Sequence, residues 1–586
     1  MNFFFNLFSR LGLTDAGRLE PDDAGRLGPD DAGRLGPDDA GRLGPALLTN
    51  KGKSELLQPG KGQTEALSIY KVLLKEEQLN IEGCRRFSFG KESQKRNRTI
   101  MVLGATGAGK TTLINGMINY ILDVRWKDSY RFKLVDEGQS KSQAESQTSE
   151  VTVYKINHQE GFKIDYSLTI IDTPGFGDTR GIERDKVITE QLRNLFSAGR
   201  GVSDIDAVCF VAQASSARLT PTQKYVFDSV LSIFGKDVAE NIRILVTFAD
   251  GQHPPVLEAI IASEVPCPKT NKGVPVHFKF NNSALFADNK LSGQNNPGCS
   301  DDGDEGNFDQ MFWDMGTKSM KNFFAALNLI TPKSLTLTKQ VLREREQLEN
   351  SVENLQLQVK LGLAKLEEIK QTTQILQEHE AEATRNEKFE FEVTMKKPVQ
   401  KDISNTRKYV TNCQQCHMTC HYPCGIPDDN NKARCTAMGS DGNCTECTGK
   451  CHWTVHFNQK YRWKYKEVKE KRTVQELKDK YQKATKNKMT VQDVIKKLQD
   501  EYEKVQVEVM NLMERSAKCL DRLKEIALKP NPLSTPEYID LLIEGEKSEA
   551  RPGWMKRVKA LTAMREKAVT TAKVATGEKL LQSPSF

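Results

Sequence analysis

The segment TIMVLGATGAGKTTLINGMINYIL constrains this chain more than any other, because a buried-type strand, a glycine-rich loop and a helix follow one another without a break. Within it, GATGAGKT matches the phosphate-loop pattern G-x-x-x-x-G-K-[ST] in the context that makes the pattern specific. The candidate phosphate cradle is Gly104, Ala105, Thr106, Gly107, Ala108, Gly109, Lys110, Thr111 and Thr112. Glycines let backbone N–H groups turn inward around phosphates, and the helix N-terminus adds its positive dipole end. In this scheme Lys110 reaches the β- and γ-phosphates and Thr111 coordinates Mg²⁺.

Further short buried-type strands, SLTIID, DAVCFVAQ and IRILVTFAD, alternate with helical stretches such as PTQKYVFDSVLSIFG. That alternation predicts an α/β domain over 95–330, with a mostly parallel sheet covered by helices on both faces. DTPG closes SLTIID, so Asp172 is a candidate for the Mg²⁺ shell and Gly175 for sensing the γ-phosphate through its N–H. Upstream, SQTSEVTVY offers Thr148 or Thr152 as a threonine closing over Mg²⁺. Thr148 lies on the loop before the strand and fits better; a plain surface threonine is the competing reading.

The strand IRILVTFAD ends in what looks like a guanine-reading loop lacking its lysine, with Phe248 in that place. Asp250 does the selecting, since its two oxygens accept from guanine N1–H and N2–H₂, whereas adenine offers a lone pair there. A Phe ring can cover the base face in place of the lysine stem. Guanine reading therefore survives the substitution, and an ATPase of the same fold is the runner-up.

The phosphate loop, DTPGFGD and TFAD together resemble the septin–AIG branch of GTPases. The run ASSARLTPTQKYVFDSVLSIFGKDVAENIRILVTFAD is similar to the conserved box of the immunity-associated (GIMAP, AIG-type) family. FNN, Phe280 to Asn282, matches that family's last base-side motif and implies Asn281 near the guanine. The resemblance covers about 100–285 and implies GTP/GDP and Mg²⁺ as ligands. Two departures from G-protein norms bear on turnover and base reading. Phe176 follows the Gly of DTPG where a Ras-like Gln would orient water, and Phe248 stands where a Lys would. Arg218, on the loop after DAVCFVAQ, is the candidate to reach across a dimer to the partner's γ-phosphate; a surface arginine without a role competes with it.

Beyond 330 the resemblance ends. Leu348, Val352, Leu355, Val359, Leu366 and Ile369 fit a heptad, with Gly362 a weak position, and predict a coiled coil over 333–388. A second seam, from Val491 through Leu498, Tyr502, Val509 and Leu512 to Ile526, predicts another over 466–528, Ser516 interrupting it once. Amphipathic helices of an ordinary domain are the plainer alternative. The two are expected to pair as an antiparallel hairpin, with the segment between them capping its far end.

That segment, 389–465, carries eight of the thirteen cysteines. Two C-x₂-C pairs about thirty residues apart predict structural zinc, since each pair grips one tetrahedral ion from a tight turn. The expected partition is Cys413, Cys416, Cys444 and Cys447 at one ion and Cys420, Cys424, Cys435 and Cys451 at a second. His417, His421, His452 and His456 are substitutes, and a disulfide knob is the competing reading.

The remaining segments carry less. Residues 1–66 hold four near-copies of an octapeptide of the type DDAGRLGP, too poor in apolar residues to bury a core, so they are expected to be disordered. Residues 535–586 predict a basic helical tail lying on the surface. A net charge of +7 in 586 residues is far from the footprint of a dedicated nucleic-acid binder. No run of 18 apolar residues predicts a membrane span, and the opening MNFFFNLF lacks the features of a signal peptide, so a cytoplasmic location is expected. The function expected is guanine-nucleotide binding with slow, assembly-dependent hydrolysis, the chain forming a homo-oligomer through its G domain and coiled coils. The alternative is a zinc and coiled-coil scaffold stabilised by nucleotide but without meaningful hydrolysis.

Overall fold

The computed structural model describes residues 67–135, 149–177, 181–216, 221–287, 305–378, 390–406, 408–473, 475–476, 478–479, 490–530, 535–550 and 553–581. The octapeptide repeats, Thr148 and Arg218 lie outside the described residues.

The main sheet of the first domain has eight strands among the described residues: β1 (Lys75–Glu77), β2 (Cys84–Phe89), β3 (Asn97–Gly104), β4 (Val151–Ile156), β5 (Ser167–Asp172), β6 (Ala207–Gln213), β7 (Ile242–Thr247) and β8 (His277–Lys279). Their order across the sheet is β8-β7-β6-β3-β5-β4-β2-β1. All neighbours are parallel except β4 with β5 and β1 with β2. Ile100, Met101, Val102, Leu168, Ile170, Val208, Ile244 and Leu245 are fully buried, which requires helices on both faces. On one face lie α1 (Lys110–Ile121) and α5 (Glu305–Leu329), which contribute Leu113, Met117, Ile118, Phe323 and Leu327. On the other lie α2 (Ile182–Ser197), α3 (Pro221–Leu231) and α4 (Val256–Ala262), contributing Ile188, Leu192, Val226 and Ile260. The expected mostly parallel α/β sheet is present.

A buried polar belt closes the N-terminal edge of β3. The Arg98 guanidinium pairs with Asp206 at 2.6 Å and donates to the carbonyl of Ile330 at 2.6 Å and to that of Asn328. Asp206 also accepts from the Thr99 N–H at 2.7 Å, and Asn241 donates to the carbonyls of Asp206 and Thr331, both at 2.9 Å.

From this belt the chain enters α6 (Thr336–Glu378), which packs along α7 (Val491–Ile526). Val341 meets Ile526, Val352 meets Cys519, Leu355 meets Leu512, and Ile369 meets Leu498 and Tyr502, so the two helices run antiparallel. Ser516, the break in the second seam, is fully buried and donates back to the Leu512 carbonyl at 2.8 Å. A capping box of Thr490 and Asp493 starts α7.

Between them runs a two-stranded ribbon of β9 (Glu390–Asp402) and β13 (Tyr461–Thr473), paired over their full length. The strand continues to Thr473, past residue 465, so KEVKEKRT, which the expected bounds placed in the second coiled coil, belongs to the ribbon instead. Phe391 and Val393 sit on Ile369, Val494 and Leu498 near the far end of the helical pair. At about 3.4 Å per residue the ribbon spans about 40 Å, and it carries β10 (Tyr409–Cys413), β11 (Met418–Cys424) and β12 (His456–Phe457) back along the pair. The cysteine module therefore lies beside residues 346–358, where Asn354 donates to the Cys420 carbonyl and to Glu446. It does not cap the far end.

The tail also differs from expectation. Helices α8 (Pro536–Glu549) and α9 (Trp554–Thr576) pack on the first domain, with Ile539, Leu542, Leu561, Met564 and Ala568 inside its core. Further on, Val574 and Leu581 join Leu355, Val509 and Leu512 on the helical pair. Gly362, the weak heptad position, is where Leu581 docks: a Cβ there would lie 2.8 Å from Leu581 and 3.1 Å from Val505. No described helix is long and apolar enough to cross a membrane.

If α9 belongs to the core, Leu561→Ala lowers the unfolding free energy by about 3 kcal/mol. Met555→Ala, at a position 71% exposed, changes it by less than about 0.5 kcal/mol. Denaturant unfolding of the two variants distinguishes a core helix from a surface one.

Candidate functional site

The phosphate loop joins β3 to α1 at the C-terminal edge of the sheet, where this class of fold binds its ligands. Gly109 caps α1 in the left-handed region, φ +80°, so the loop N–H groups can face inward. Lys110 is buried and its Nζ donates to the carbonyls of Gly104 and Ala105 at 3.2 and 2.9 Å. These bonds hold the ammonium over the mouth of its own loop. Thr247 at the end of β7 donates to the Ala108 carbonyl at 2.8 Å, and Gln213 at the end of β6 to that of Gly107 at 3.0 Å. Both supports come from strand ends: Thr247 opens the TFAD motif and Gln213 closes DAVCFVAQ.

Asp172 is fully buried at the end of β5. Beyond it the chain crosses the loop: Thr106 N–H donates to the Phe176 carbonyl at 3.0 Å, and Phe176 N–H to the Gly104 carbonyl at 3.2 Å. Gly175 permits this approach, since a Cβ there would lie 2.5 Å from Thr106 Oγ1. Phe176, noted in the sequence for lacking a water-orienting group, is itself buried and bonded to the loop through its backbone. Thr152 lies in β4, largely buried, its hydroxyl donating to the Glu150 carbonyl.

At the base side, Phe248 adopts φ +53° and is 55% exposed, its ring beside Gly109. The exposed phenyl ring stands beside the loop and outside the core. Asp250 is exposed and accepts from the Gln252 N–H at 2.9 Å. The loops bearing Asp250 and Asn281 are joined by Ala249 N–H donating to the Phe280 carbonyl at 3.0 Å. Asn281 Oδ1 accepts from Ser283 N–H and Oγ at 3.2 and 2.8 Å. Lys279, at the end of β8, donates to the carbonyls of Gly251 and Gln252 at 2.7 and 3.2 Å. A lysine thus braces the base loop from the neighbouring strand, a role sequence spacing did not reveal.

In the cysteine module the sulfurs gather into three groups, not two. They are Cys413, Cys416, Cys447 and Cys451; then Cys420, Cys444, Cys447 and His456; then His421, Cys424 and Cys435. Cys444 and Cys451 thus exchange places relative to the expected partition, and Cys424 and Cys435 separate from Cys420. Cys420 and Cys424 stand four residues apart on β11, and the pairing of β10 with β11 shifts register twice between Tyr409↔Cys424 and Asn412↔Thr419, so the two sulfurs reach different groups. His417 packs on Trp463 and His452 bonds Thr454, so neither joins a group. None of the twelve cysteines among the described residues is in a disulfide.

A tetrahedral ion with Zn–S bonds of about 2.3 Å requires S···S edges of about 3.8 Å. Cys416 and Cys451 are 3.6 Å apart and Cys424 and Cys435 3.9 Å, fitting such an edge and far beyond a disulfide bond. Backbone N–H groups point at the sulfurs: Cys416 N–H at Cys413, Cys447 N–H at Cys444 and Cys451 N–H at Cys447, each 3.4 Å. Such donors favour thiolates. Burial pulls His421 down, but Cys424 and Glu346 outweigh it and raise its pKa to about 9. His421 Nε2 lies 3.2 Å from Glu346, which also pairs with Arg193 of α2 at 2.8 Å.

The septin family model matches residues 95–196. Among solved structures, Toc33 from Arabidopsis thaliana with Mg²⁺ and GMPPNP is 16% identical, covering 39% of this chain and 87% of that one, with a TM-score of 0.23. A dimerisation-deficient mutant of Toc33 from Arabidopsis thaliana is 17% identical over 38% and 85%, with a TM-score of 0.23. At these scores the likeness adds nothing to the fold derived from the sheet. No curated protein matches. The septin match and the sheet order agree on a GTPase-like P-loop domain.

Gly175→Ala is expected to push the loop and the DTPGF segment apart. Amide exchange of peptides covering 104–109 and 173–177 should rise together, read by mass spectrometry. Unchanged exchange there would mean the close approach is not populated.

Proposed function

We propose that this chain is a guanine-nucleotide-binding protein of the septin–AIG branch, similar in kind to the immunity-associated (AIG-type) GTPases. It takes GTP and GDP with Mg²⁺ and hydrolyses GTP slowly, on the order of 10⁻⁴–10⁻³ s⁻¹ unassisted. The observation that carries this is the convergence of one edge: the 104–112 loop, the Asp172 segment, and the Asp250 and Asn281 loops tied through Ala249 and Phe280. In this reading Lys110 turns from its loop carbonyls to the phosphates, Thr111 and Asp172 hold Mg²⁺, and Asp250 accepts from guanine under the Phe248 ring. Phe176 offers no group to orient water, so faster turnover needs a second copy, and Arg218 is the residue proposed to reach its γ-phosphate, with Thr148 closing over Mg²⁺. The paired helices serve as a coiled-coil stalk for oligomerisation or partner binding, and the cysteine module holds zinc as structural support. The chain would work in a reducing compartment, the cytosol.

GTP is expected to outcompete ATP by roughly 10³-fold or more in binding to the nucleotide-free chain. Asp250→Asn should narrow that preference; equal affinities in the unsubstituted chain would sink the guanine reading.

GTPase activity per molecule should rise with protein concentration, and Arg218→Ala should remove the rise while leaving GTP affinity in place. A rate independent of concentration, from a species monomeric at the low end, favours the nucleotide-stabilised scaffold without meaningful hydrolysis.

A further inference from the structure

The three cysteine groups do not have equal standing, because two of them meet at one atom. Cys447 Sγ lies within 4.8 Å of every ligand atom of Cys413, Cys416 and Cys451, and equally within 4.8 Å of those of Cys420, Cys444 and His456. Structural zinc sites are closed by four ligands. Here two groups of four are built from seven residues, and the count closes only when one ligand serves both ions.

The chemistry of that ligand permits it. A thiolate sulfur has lone pairs enough to bind two divalent ions, whereas an imidazole nitrogen has one. His456 is oriented for a single bond: its Nδ1 lies 3.0 Å from the His452 carbonyl, which fixes the proton there and leaves Nε2, 3.8 Å from Cys447 Sγ, to face the group. If Cys447 served only the first group, the second would keep three ligands in a place where Cys420, Cys444 and His456 are each about 1% exposed. Water would have to enter a closed, buried pocket to complete it. Sharing Cys447 closes both shells with protein atoms.

Resting on the zinc reading above, we propose that Cys447 bridges two zinc ions. One would be completed by Cys413, Cys416 and Cys451 and the other by Cys420, Cys444 and His456. Loading displaces the thiol protons to solvent and changes no oxidation state. Local backbone is shaped for this: the Cys447 N–H points at Cys444 and the Cys451 N–H at Cys447, so consecutive turns of CTECTGKC wrap the shared sulfur. His421, Cys424 and Cys435 share no atom with either group, so an ion held there is independent of the pair.

The test uses the full chain purified under reducing conditions. Its zinc content is measured first, and the metal is then exchanged for cadmium-113. A bridging sulfur makes two cadmium resonances split one another through the shared atom, and any ion at His421, Cys424 and Cys435 remains unsplit. Resonances in the thiolate range with no mutual splitting would overturn the bridge and leave the zinc reading intact. Absence of zinc from the purified chain, with no cadmium taken up, would overturn both. As a second readout, Cys447→Ser should release both ions of the pair, while Cys435→Ser should leave the coupled pair in place. Loss of a single ion from a folded Cys447→Ser chain would also overturn the bridge.

Discussion

Arg98 sets the frame on which the rest is built. A guanidinium 1% exposed is tolerable only with a carboxylate and carbonyls around it, and those come from two distant segments: Asp206 before β6, and the carbonyls of Asn328 and Ile330 at the end of α5. One charge thus fixes the start of the central strand, the spacing to its neighbour and the point at which the chain leaves the domain. Removing either partner of such a pair strands the other, at a cost of about 3–5 kcal/mol. The helical pair departs from this fixed point, so its direction relative to the nucleotide edge is inherited from the sheet.

Much of the first domain was legible because its signals are local. Strand, glycine loop and helix are contiguous at 99–121, and the hydrophobic strands announce themselves without reference to partners. The helical pair was legible for the same reason: the seam from Leu348 to Ile369 and its counterpart from Leu498 to Ile526 each carry their own period. What stayed hidden depends on facing surfaces. Lys279 braces the base loop from another strand. The basic tail reads as solvated because Lys and Arg dilute the row Leu561, Met564, Ala568 and Val574, yet that row is the face that packs. The cysteine spacing marks metal but not which sulfurs meet, since pairing is decided by how β10 and β11 fold over one another.

The module is attached to the helices by polar contacts more than by an apolar seam. Glu446 is fully buried between Arg515 and Asn354, Lys450 pairs with Glu508 at 2.6 Å, and Glu346 stands between His421 and Arg193. Contacts of this kind specify one seating, because a shift of one helical turn would leave Glu446 buried without its partners. Arg193 belongs to α2, the helix after the DTPGF segment, so Glu346 of α6 links the module to the first domain through the same carboxylate that meets His421.

The path of the last helix has a mechanical corollary. α9 starts against the first domain, with Leu561 and Met564 in its core, and ends on the helical pair, where Leu581 fills the notch at Gly362. Tension applied to the C-terminus would therefore lift Leu581 and Val574 off the pair before it reached Leu561. The sheet would feel the load only after the outer contacts had parted, so those contacts act as a fuse that gives way ahead of the nucleotide-bearing domain.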